Sequence, residues 1–130
     1  MAKLTDPEIE RCYQNALRNW KFSGFVIYDK DADSWVRENL EGVTFQRLSE
    51  LLFEFVVNQG GEIDQVVEQR FNWVGEWSHH YDLRPIINGI ALYVETRLRY
   101  RDPDDPDDPI LSFRRFLGAQ TAIFPHDLRV

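Results

Sequence analysis

Apolar residues recur along this chain with two periods, a helical one in the first half and a strand-like one in the second. In "TDPEIERCYQNALRNW", Ile9, Cys12, Tyr13, Ala16, Leu17 and Trp20 follow i, i+3, i+4, i+7, i+8, i+11 and share one helix face. Thr5 and Glu8 have capping-box spacing, Pro7 suits a first turn, and Ser23-Gly24 marks a stop. A second helix is predicted from "TFQRLSELLFEFVVNQGG", with Phe45, Leu48, Leu51, Leu52, Phe55 and Val56 as its apolar stripe and a stop at Asn58 to Gly61. Its polar side carries Gln46, Glu50 and Glu54 and is not basic, which argues against binding a membrane surface. Between the helices, "FVIY" (Phe25 to Tyr28) has the form of a short strand buried on both faces. "DKDADSWVRENLEG" reads as an acidic turn capping a short helix. "EIDQVVEQR" fits either a strand or a turn or two of helix.

After His79 the period becomes two. Tyr81 to Ile87 and Ile90 to Tyr100 read as strands around Asn88-Gly89, a strong hairpin signal. A two-residue turn sets Ile87 opposite Ile90, Leu83 opposite Val94, Asp82 opposite Glu95 and His80 opposite Arg97. One face then holds Leu83, Pro85, Ile87, Ile90, Leu92 and Val94, and the other His80, Asp82, Arg84, Tyr93, Glu95 and Arg97. A three-residue turn would shift the register by one and mix charge into the apolar face. Pro85 is a cost of the favoured register, because it has no N–H to bond to Leu92. "DPDDPDDP" (Asp102 to Pro109) reads as an exposed, stiffened loop, "ILSFRRFLG" (Ile110 to Gly118) as the returning strand, and "TAIF" as a short strand near the end. With no internal repeat and no linker, residues 1–130 are expected to form a single α+β domain. Two main helices pack on one face of a mostly antiparallel sheet of about four strands.

Composition narrows the function. The net charge of −7 weakens any reading in which the whole surface binds nucleic acid. The lone cysteine, Cys12, excludes an internal disulfide and reads as a buried apolar residue. The first residues lack the apolar run of a signal peptide, and no stretch is long enough to span a membrane, so the expectation is a cytoplasmic protein with no membrane partner. Asp29, Asp31 and Asp33 have the spacing of calcium-loop ligands, but Ser34 and Leu40 stand where Gly and a bidentate Glu are needed. Phe71, Trp73 and Trp77 are either core or a stacking platform for bases beside Arg70.

The polar face of the hairpin concentrates the candidate chemistry. Asp82 and Glu95 are predicted to face each other at a close pair, where like charges repel unless a cation, a proton or water intervenes. One reading is a solvent-facing ladder of Arg–carboxylate pairs, each worth about 0–1 kcal/mol. A second is a metal-independent ribonuclease site: Glu95 as base, His80 or His79 as acid, Arg84 and Arg97 as a phosphate clamp, and Tyr93 orienting the phosphate. Arg99 and Arg101 continue the basic row of Arg97 and are candidate substrate-binding residues. A third is a magnesium-holding pair, since Asp82 followed by "ETR" is close to the D…(D/E)xK pattern of many nucleases. Arg97 would replace the usual Lys and is a poor proton acceptor. A fourth is a surface for another protein. The ribonuclease reading requires no cofactor and takes RNA as partner.

The second half of the chain also resembles the RelE/MqsR-like ribonuclease toxins of bacterial toxin–antitoxin pairs. "YDLRP", Gly89, Tyr93 and "SFRR" (Ser112 to Arg115) carry the resemblance. The spacings around the turn differ, and Glu95 stands where those toxins have a basic residue. The resemblance implies roles for Tyr93 and Arg114 in RNA binding or cleavage. The expected function is therefore toxin–antitoxin or RNA processing. The alternative is a non-catalytic, antitoxin-like or immunity-like module whose acidic segments, 29–41 and 102–108, meet a basic protein partner.

Overall fold

In the computed structural model, residues 2–22, 24–70, 78–100, 104–105 and 107–118 are described. The "TAIF" segment, Phe71, Trp73, Trp77 and Arg101 lie outside them. The chain runs β1 (Ala2–Lys3), α1 (Pro7–Arg18), β2 (Val26–Tyr28), α2 (Lys30–Asn39), α3 (Phe45–Phe53) with a π-helical turn (Glu54–Asn58), then β3 (Ile63–Val67), β4 (His79–Leu83), β5 (Ile86–Ile87), β6 (Ile90–Tyr100) and β7 (Pro109–Gly118). The α+β class is as expected. The sheet, however, has seven strands in the order β1-β3-β4-β6-β7-β2, with β5 beside β6. Four of them, β3, β4, β6 and β7, are long enough to show a period. The others have two or three residues each, too few for alternation to register.

Local chemistry explains the helix limits. Asp6, not Thr5, caps α1: its carboxylate accepts from the Glu8 and Ile9 N–H groups at 2.9 and 3.4 Å. Pro7 then opens the helix, which ends at Arg18, earlier than Ser23-Gly24 suggested. Thr44 caps α3 through the Arg47 N–H at 3.0 Å. The stripe residues Tyr13, Ala16 and Leu17 of α1, Ala32 and Val36 of α2, and Leu48, Leu52 and Val56 of α3 form one core with Leu83, Leu92, Val94, Leu111, Phe113 and Phe116 of the sheet. All three helices therefore cover the same face.

The hairpin takes the two-residue turn. Ile87 pairs with Ile90, Leu83 with Val94 and Asp82 with Glu95. Asn88 and Gly89 both have positive φ, 53° and 73°, as a type I′ turn demands. The chain accommodates Pro85 by interrupting the strand between β4 and β5, and the Leu92 N–H still reaches the Pro85 carbonyl at 2.8 Å. β2 differs from expectation. It is an edge strand, pairs parallel with β7, and leaves Ile27 38% exposed instead of burying both faces.

A β-bulge in β7 shapes the outer face. Thr96 pairs with Phe113 and Glu95 with Arg115, so Arg114 is the extra residue. Strict alternation would send one of the two arginines of "FRRF" into the core between Phe113 and Phe116. The bulge lets both phenylalanines pack on the helices while Arg115 stays on the outer face opposite Glu95.

Candidate functional site

The outer face of β3, β4, β6 and β7 carries one connected ionic cluster. Pairing places Asp64 opposite Asp82, Asp82 opposite Glu95, and Glu95 opposite Arg115, so one row of charges crosses four strands. The cluster is not a solvated ladder. Asp82 is 0% exposed, Glu68, Glu95 and Arg97 are 2%, and His80 is 8%. Alternation along the strands sorts these side chains onto one face, but it carries no information on whether that face is covered.

Each buried charge has an answer. The Glu95 carboxylate meets Arg70 Nη2 at 2.6 Å and Arg97 Nη1 at 3.5 Å through Oε2, and Arg115 Nη2 at 3.6 Å through Oε1. Glu68, just past β3, accepts from Arg70 Nε at 2.9 Å and Nη2 at 3.2 Å, and lies 3.5 Å from Arg97. Burial alone would push the Glu68 carboxyl up, but Arg70, with Arg97 and His80, outweighs it and holds the group below the usual range. Burial lowers Arg97, against the pull of Glu95 and Glu68 in the other direction. Arg84 Nε binds Asp64 Oδ2 at 2.9 Å and Glu62 lies 3.6 Å away. Desolvation still raises the Asp64 carboxyl, with Arg84 opposing.

Asp82 is answered by hydrogen-bond donors rather than arginines. The Tyr93 hydroxyl donates to its Oδ2, and His80 Nδ1 lies 2.8 Å from Oδ1. Burial, then the Asp82 charge, raise the Tyr93 phenol far above its ordinary value. On its other side, His80 Nε2 is 3.7 Å from Glu68 Oε2. The cluster is thus polarised. Arg70, Arg97 and Arg115 surround Glu68 and Glu95, while Arg84 faces Asp64 and Glu62, with Lys3 4.0 Å from Glu62 at the rim. His80 joins the two ends.

The candidate residues fare unequally. His80, Arg84, Tyr93, Glu95 and Arg97 all belong to the cluster or its rim, but only Arg84 is exposed; His80, Tyr93, Glu95 and Arg97 are buried and meet the other members of the cluster rather than solvent. His79 neighbours His80 on the strand and therefore points to the other face, with Nδ1 2.9 Å from Ser78 Oγ. Arg99 is exposed on β6 opposite Ile110. Arg114 pairs with Asp29 across the β2–β7 edge. Asp33 pairs with Arg37, so two carboxylates of the first acidic segment already have internal partners. Asp82 is engaged by His80 and Tyr93, and Glu95 by three arginines. Among the described residues no group of three or more His, Cys, Asp and Glu side chains is placed to hold a metal ion. Asp64, Glu68, Arg70 and Arg115 were not assigned from sequence. Their signal, Asp64 and Glu68 at even spacing, lay in the segment that read equally as strand or helix.

Fold and site together define a two-layer α+β protein with a buried ionic cluster on the sheet face away from its helices. No protein-family model, curated protein or solved structure matches this chain. Among the described residues no helix is long and apolar enough to cross a membrane.

Proposed function

We propose that the protein is a small RNA-cleaving enzyme of the toxin–antitoxin or RNA-processing kind, working without a metal ion at the polar face of its sheet. The hold on His80 carries this reading. A carboxylate oxygen of Asp82 2.8 Å from Nδ1 keeps the proton of the neutral ring on that nitrogen and leaves Nε2 to take or give one. Tyr93 fixes Asp82 in turn. A carboxylate-oriented imidazole in a cluster with three guanidinium groups suits attack of a ribose 2′-oxygen on its own phosphodiester. The 2′-hydroxyl loses a proton, the P–O5′ bond breaks, and the leaving 5′-oxygen gains a proton. His80 is the proton-transfer group. Glu95 and Arg97 hold the frame around it, and half-exposed Arg84 remains within reach of a ligand.

The test is cleavage of single-stranded RNA in EDTA, with the products checked for 2′,3′-cyclic phosphate ends. His80→Gln is expected to slow cleavage by about 100-fold or more while the circular dichroism stays native. Folded wild-type protein that leaves every RNA intact, or a His80→Gln variant as fast as wild type, would overturn the reading.

A further inference from the structure

We infer that Arg70 and Arg115 form a phosphate subsite at the basic end of the cluster, gripping one phosphodiester of an RNA strand beside His80. The inference rests on the RNA reading and adds the residues that hold the substrate. Its first support is the contrast between the holders and the held. Glu68 and Glu95 are 1% and 3% exposed at the side chain, whereas Arg70 and Arg115 are 41% and 48% exposed. Buried carboxylates hydrogen-bond Arg70 and pair with Arg115 at 3.6 Å, and both guanidinium groups reach solvent.

Geometry supplies the second support. The two arginines engage opposite oxygens of the single Glu95 carboxylate, so their heads flank one point on the sheet. Arg70 uses Nε and Nη2 for Glu68 and Glu95, and Arg115 uses Nη2. Among the described residues the Nη1 edges of both remain for an outside acceptor. A fork held in advance, as that of Arg70 is, loses little freedom on binding, which is what favours Arg for phosphate oxygens. Arg97 answers Glu68 and Glu95 from inside the cluster, whereas Arg70 and Arg115 answer them from its solvent side.

The third support is position. Glu68 Oε2 accepts from Arg70 Nη2 at 3.2 Å and lies 3.7 Å from His80 Nε2, so subsite and proton-transfer group share one carboxylate oxygen. The β7 bulge is what keeps Arg115 on this face.

The experiment measures binding of a fluorescein-labelled, uncleavable 2′-O-methyl oligoribonucleotide by anisotropy over a range of salt. Wild type is expected to bind with an affinity that falls steeply with salt. Arg70→Gln and Arg115→Gln are each expected to weaken binding and to flatten the slope of log affinity against log salt by about 0.7. Arg47→Gln, on α3 in the helical layer, is expected to change neither. If Arg70→Gln does not fold, Arg115→Gln must still lose slope and Arg70→Lys must keep it. Absence of wild-type binding, unchanged slopes in the glutamine variants, or an equal loss in Arg47→Gln would each overturn the subsite. Binding that obeys these expectations without cleavage of ordinary RNA would defeat the ribonuclease reading and leave the subsite standing. Cleavage with unaffected Arg70→Gln and Arg115→Gln would do the reverse.

Discussion

Asp82 on β4 and Glu95 on β6 face each other across the sheet, and both are buried. They differ in how the like-charge contact is made tolerable. Asp82 is answered by the Tyr93 hydroxyl and His80, and Glu95 by Arg70, Arg97 and Arg115. Asp82→Asn relieves the repulsion and keeps one oxygen to accept a hydrogen bond, so its cost is expected near 1–2 kcal/mol. Glu95→Gln leaves Arg97 buried with one carboxylate fewer and is expected to cost more, about 3–5 kcal/mol. Urea unfolding of the two variants checks the order, and a less stable Asp82→Asn would contradict it.

The helical layer is tied to the sheet by a relay of hydroxyls. The Thr96 hydroxyl donates to the Tyr81 carbonyl at 2.6 Å, which leaves its oxygen to accept from the buried Tyr13 hydroxyl at 2.9 Å. Thr96→Val strands the Tyr13 donor and is expected to cost about 1–3 kcal/mol. Adding Tyr13→Phe removes that donor and is expected to recover part of the loss. Thermal melts of the single and double variants decide whether the coupling exists.

Alkaline pH should unfold the protein through its buried phenols. Burial raises Tyr13, Tyr28 and Tyr93 far above the ordinary value of 10.0. Groups whose folded pKa is raised contribute stability below the unfolded pKa and lose it as pH rises above about 10. Absorbance near 295 nm should therefore show part of the tyrosine population ionising only together with unfolding. Full ionisation in a folded protein would contradict the burial.

The turn of the hairpin should be sensitive to one methyl group. Gly89 has φ of +73°, and a Cβ built there meets nothing within 4 Å, so any cost of Gly89→Ala is backbone strain alone. That cost is expected near 1–2 kcal/mol. A melting temperature equal to wild type would show that the turn relaxes without loss.

Sequence pattern reached far in some places and stopped short in others. Asn88-Gly89 and the alternation from Leu83 to Leu92 were enough to pair Asp82 with Glu95, because both signals are local. The burial of that pair was not legible, since period two separates faces and does not say which are covered. Glu68 was missed because it follows a strand too polar to tell from a helix, and Arg70 was read only as the neighbour of a base-stacking platform. Arg115 was missed because strict alternation puts it on the wrong face, and only the bulge at Arg114 corrects that. The partner of β2 depended on a strand more than eighty residues away, beyond the reach of any local pattern.

That last distance bears on how the protein is made. β7 takes contacts from α1, α2, β2 and β6, yet it is the last of the described strands to leave the ribosome. The parallel edge joining Val26 to Leu111 cannot close until β7 has been made, and closing so long a loop is slow relative to local hairpins and helices. Until then β6 presents a bare edge carrying Glu95 and Arg97 without Arg115, so the charges of the cluster are brought together only once β7 is in place.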